Sequence, residues 1–87
     1  MTDKTLLEET ILRLAAEGGP GASFAPADAA RAIAGNRSED WGPLMQPLRR
    51  VAVGLAKAGR LVIYRKGKPA DPDDFKGLYR LGAPRLD

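Results

Sequence analysis

At 87 residues the chain has room for one small domain, and 14 of its 38 hydrophobic residues are alanine, so its core must be modest and built mainly from leucine. It contains no cysteine and no histidine, which excludes disulfides, the usual zinc sites and the Ser-His and Cys-His nucleophile systems, and points to a reducing compartment, the cytoplasm. The net charge of +3 is uneven: residues 1–42 carry four basic against seven acidic groups, residues 43–87 ten against four, as suits one face meeting a polyanion.

The opening "MTDKTLLEET" is polar and acidic within a few residues, unlike a signal peptide. No apolar run nears the roughly 20 residues of a membrane span, so a soluble protein is expected. Leu7, Ile11, Leu14 and Ala15 recur at helical spacing, widened by Leu6 and Leu12, and predict an amphipathic helix over 3–17. Asp3 or Thr2 can cap its start, and Gly18-Gly19 stop it. If its apolar stripe exceeds what the core needs, this helix could also serve as a homodimer surface.

"PGASFAPADAARAIAGN" reads as a turn, a short extended piece at Ser23-Phe24 with Phe24 as a core plug, and a second helix. Pro26 suits the first helical position because its missing amide hydrogen costs nothing there. The helix should run to about Ala34 and end at Gly35-Asn36, with Ala29, Ala30 and Ile33 as a narrow apolar strip.

In "RSEDWGPLMQPLRRVAVGLAKAGR", Ser38 or Asp40 can cap a first turn, and Trp41 should pack over the helix junction. Pro47 has no amide to bond back to residue 43, so either a short turn over 43–46 precedes the third helix or that helix kinks; the first is favoured, with a helix over 47–58 ending at Gly59. On a wheel Leu44, Leu48, Val51 and Leu55 share one stripe flanked by Met45 and Ala52, and Gln46, Arg50, Val53 and Lys57 lie opposite, with Arg49 to one side. Such a mix of long cationic, amide and small side chains suits a nucleic-acid groove, where arginine can fork onto guanine.

The period then changes. Leu61 to Tyr64 is β-rich, Lys66-Gly67-Lys68 reads as a turn, Pro69 to Asp74 as a loop, and Leu78 to Leu81 as a second strand. Together they predict a hairpin with Arg65, Lys66, Lys68 and Lys76 near its tip, followed by a loose tail "GAPRLD". Asp71, Asp73 and Asp74 lack the alternating ligands and distal glutamate of a calcium loop and read as solvated acid.

The order helix, extended piece, helix, helix, hairpin is that of a winged helix-turn-helix domain: α+β, mainly α, one domain over 1–87 with an ordered core about 3–82. "SFAPADAARAI", "DWGPLMQPLRRVAVGLAKAGRLVIYRKGKP" and "GLYRL" resemble a small, largely bacterial domain-of-unknown-function family of winged-helix proteins. The shared features are a Pro-led second helix, a Trp-Xaa-Pro-Leu-Met approach to the third, an Arg-bearing helix ending in Ala-Gly-Arg, and a Lys-Gly turn, over about residues 5–82. The resemblance implies a third helix in the major groove and a wing on the backbone or in the minor groove. Carried over by position, it assigns Gln46, Arg49, Arg50, Val53 and Lys57 to the reading helix and Arg65, Lys66 and Lys68 to the wing. The connection from Gly35 to Gly42 is longer than the 3–4-residue turn of a plain helix-turn-helix, which could tilt the third helix.

The expected function is therefore binding of double-stranded DNA, as in a transcriptional regulator, with a salt dependence of log–log slope on the order of −5 from about six contacts. The alternative is a protein-docking module, which the acidic cluster beside the basic tip favours. No catalytic residues, metal or cofactor are expected: "RKGKP" lacks the phosphate-cradling pattern, and so small a core leaves little room for a pocket. No small-molecule ligand is inferred.

Overall fold

The computed structural model describes residues 4–19 and 22–84. Four α-helices precede a three-stranded antiparallel sheet: α1 (Lys4–Gly18), α2 (Pro26–Ala34), α3 (Ser38–Trp41), α4 (Met45–Lys57), β1 (Val62–Arg65), β2 (Lys68–Pro69) and β3 (Arg80–Gly82). A 3-10 turn at Gly42–Leu44 joins α3 to α4. The arrangement is α+β, mainly helical, and compatible with a winged-helix topology.

Packing follows the apolar stripes. Leu7, Ile11 and Ala15 of α1, Ala29 and Ala30 of α2, and Leu48, Val51, Ala52 and Leu55 of α4 are buried together with Leu61, Ile63 and Leu81 from the sheet. Each such leucine or isoleucine contributes on the order of 2 kcal/mol by leaving water. Three members of the α1 stripe depart from expectation: Leu12 and Leu14 are half-buried and Leu6 is 44% exposed. The caps proposed for α1, Thr2 and Asp3, lie outside the described residues.

Helix α2 starts at Pro26 as its sequence requires, and Asp28 Oδ2 accepts the Ala25 N–H at 3.2 Å to tie down its first turn. Beyond Gly35 the long connection is not a loop. The chain remains helical from Ser38 to Lys57 in three segments. Ser38 is the first residue of α3 and not its cap, and neither it nor Asp40 caps the turn through its side chain. Trp41 is half-buried over the α2–α3 junction, with the Arg31 guanidinium 5.0 Å from its ring centroid. Helix α4 begins at Met45, two residues before Pro47. Pro47 therefore sits third in the first turn, where an amide has no intrahelical acceptor, and the ring breaks nothing.

The sheet order is β2-β1-β3. The expected pairing of the two longer strands holds, with Ile63 opposite Leu81 and Tyr64 opposite Arg80, but the last strand runs over Arg80–Gly82 and not Leu78–Leu81. What the sequence reading lacked is β2. Lys66 and Gly67 both adopt positive φ, 52° and 81°, which closes a two-residue hairpin of the kind that matches strand twist. Arg65 then pairs with Lys68 and Tyr64 with Pro69 on the far edge of β1. Residues 70–79 must cross back to reach β3, so the segment is not a free basic finger. Phe24 pairs with Leu81 on the other edge of β3, its N–H donating to the Leu81 carbonyl at 2.8 Å and its carbonyl accepting from the Leu81 N–H at 2.9 Å. Gly82, expected in a loose tail, belongs to β3, and a Cβ there would collide with the Ala22 carbonyl oxygen.

Candidate nucleic-acid interface

The buried stripe of α4 dictates what faces water. With Leu48, Val51, Ala52 and Leu55 turned to the core, Gln46, Arg49, Arg50 and Lys57 are exposed and Val53 is half-buried. Gln46, Arg49, Arg50 and Val53 line one shallow, open depression. Four of the five residues assigned to this helix thus share a surface.

Their side chains are not equivalent. The Arg49 guanidinium lies 4.3 Å over the Phe75 ring centroid, and its Nη2 donates to the Phe75 carbonyl oxygen at 2.9 Å. Phe75 is buried and meets Tyr79 edge-on, with centroids 5.1 Å apart. Burial pushes the Tyr79 phenol above its ordinary range, partly countered by the nearby Arg49 charge. The Lys57 ammonium pairs with Asp73 Oδ1 at 2.5 Å, in a bridge whose side chains are 53% and 65% exposed and so of small energetic weight. Asp73 is therefore solvated, as expected, but also ion-paired. Its own N–H donates to Asp71 Oδ1 at 2.9 Å, and Asp74 N–H donates to the Asp71 carbonyl at 3.0 Å, which folds the acidic stretch into a compact turn.

The wing residues divide similarly. Arg65 Nη1 donates to the Leu78 carbonyl oxygen at 2.6 Å. Lys66 and Lys68 are exposed and make no side-chain hydrogen bond or ion pair among the described residues, as holds also for Arg50 and Gln46. Arg49, Lys57 and Arg65, from two separate stretches, thus converge on one segment, residues 73–78. Sequence reasoning placed the cations but missed what three of them grip. The one available signal was Phe75, a lone aromatic inside "DPDDFKG" that a solvated loop has no reason to carry.

The family model described as "Protein of unknown function (DUF3253)" matches residues 4–84. The chain belongs to that family. No curated protein matches this DUF3253 chain. The match covers the whole of the described fold, from α1 to β3, so the depression on α4 and the segment gripped by its arginine lie inside the DUF3253 domain. Among the described residues of this DUF3253 domain no helix is long and apolar enough to cross a membrane.

Proposed function

We propose that the domain binds double-stranded DNA, with Gln46, Arg50 and Val53 of α4 toward the major groove and Lys66 and Lys68 toward the phosphate backbone, as a cytoplasmic transcriptional regulator would. The observation that carries this reading is the open depression on α4, where Arg50 and Gln46 are exposed and unpaired among the described residues beside the half-buried Val53. A long forked cation and an amide next to a small apolar side chain can approach base edges without holding the helix away. Arg49 acts as a positioning residue in this scheme, since its guanidinium is committed to Phe75.

The test is titration with mixed-sequence duplex DNA at several salt concentrations. Wild type should bind at low salt, and Arg50→Ala combined with Lys66→Ala should weaken binding by at least about tenfold. Absence of binding at low salt, or indifference to the pair, removes the DNA reading.

One observation favours a second reading, a protein-docking module: Asp73 places a carboxylate against Lys57 at the far end of the reading helix, where it would repel phosphate. Asp73→Asn separates the two. On the DNA reading it frees Lys57, strengthens binding and steepens the log–log salt slope by about 0.9. A variant that binds DNA no better, while losing a protein partner, supports docking.

A further inference from the structure

A groove of about 820 Å³ opens on the side of the domain where the start of α2, the start of α4 and the β1–β2 turn meet. Its walls are largely apolar: Pro26, Met45, Tyr64, Leu78 and Tyr79. Leu78 is 91% exposed, the most exposed of the large hydrophobic side chains among the described residues. The charged residues of the lining are Arg65, Lys66 and Arg80, and no carboxylate joins them.

That imbalance is specific. Arg65 is held by the neutral Leu78 carbonyl at 2.6 Å, and Arg80 by the Ser23 hydroxyl at 2.8 Å and the Ser23 carbonyl at 3.0 Å. Both guanidiniums are thereby fixed in place with their charge uncompensated. Lys66 has no side-chain partner among the described residues. Gly77 adopts φ 82°, and a Cβ there would lie 3.0 Å from Arg65 Nη1. Fixed cations beside an apolar cleft of ligand size are what an anion with an apolar body requires, and guanidinium recognises carboxylate through charge-assisted bonds.

We propose that this groove binds a small amphipathic carboxylate, its apolar body along Met45, Leu78 and Tyr79 and its carboxylate toward Arg65, Lys66 and Arg80. Size selects a small molecule over a protein partner. Thirteen residues line the groove, whereas a standard protein interface takes roughly 20–30 residues a side. The site shares Lys66 with the DNA reading but needs neither Arg50 nor Gln46, so it stands if that reading fails.

The experiment is a two-dimensional amide NMR titration with three soluble probes sharing one body: 4-phenylbutyrate, 4-phenylbutan-1-ol and 4-phenylbutylamine. The carboxylate should saturate with shifts concentrated at Met45, Tyr64, Leu78 and Tyr79, and the amine should bind at least about tenfold more weakly. Leu78→Ser and Arg80→Gln should each weaken the carboxylate severalfold. Lys66→Gln, in an exposed turn, gives the same reading should Arg80→Gln perturb the sheet. Arg50→Ala taken alone should change nothing here while still lowering DNA affinity, and Arg80→Gln should do the reverse, so the two readings fail separately. Equal binding of the three probes, shifts elsewhere, or absence of saturable carboxylate binding overturns the proposal. So does binding of an acidic leucine-containing peptide in place of 4-phenylbutyrate, which would hand the groove to a protein partner.

Discussion

Lys66 is the described residue other than glycine with positive φ, 52°, in a region where an L side chain costs about 1 kcal/mol. Asparagine before Gly67 would fill that turn with less strain, whereas lysine adds a cation at its tip. Lys66→Asn should raise stability by about 0.5 kcal/mol, or about 2–4 °C in Tm, while weakening DNA binding and flattening the salt slope by about 0.9. Thermal melts and the DNA titration check the two halves, and a variant neutral in both removes the inference. Tyr79 supplies a second prediction. Its phenol is pushed up in the folded chain from an ordinary value near 10, chiefly by burial. The unfolded chain therefore releases this proton at lower pH. The contribution is complete below about pH 10 and is lost as pH rises through the higher folded value. Urea midpoints measured from pH 9 to pH 11.5 should fall less steeply for Tyr79→Phe than for wild type.

Helix α4 and the segment it holds show where the sequence was legible and where it was not. The buried stripe Leu48, Val51, Ala52, Leu55 follows from helical spacing alone, as does the outward set Gln46, Arg50, Val53. Pro47 blurred the start by two residues, because a proline fits any of the first positions and the sequence does not say which. Strand β2 is two residues long, too short for any period, and its pairing is set by the Lys66-Gly67 turn. The course of residues 70–79 depends on contacts between residues 26 apart, Arg49 on Phe75, and local propensity carries no trace of them. Phe75→Ala should accordingly cost about 3 kcal/mol, speed amide exchange across residues 71–79, and release Arg49. Exchange unchanged in that segment would mean that Phe75 is not its anchor.

Across the whole molecule, the excess of positive charge in residues 43–87 is partly spent within the fold. Arg49, Lys57 and Arg65 hold the 73–78 segment, which leaves Arg50, Lys66 and Lys68 as the candidate cations without a partner among the described residues. Two phosphate contacts, from Lys66 and Lys68, give a log–log salt slope of about −2, shallower than the −5 expected from about six contacts. A measured slope steeper by about 0.9 would mean that the Lys57–Asp73 bridge opens on the duplex. The edge pairing of Phe24 with Leu81 reaches further. It joins the chain before α2 to the final strand, and Arg80 reinforces it at Ser23, 57 residues away. A polypeptide leaving the ribosome amino-terminus first can therefore assemble its helices early, yet it cannot close the sheet until residue 82 has emerged.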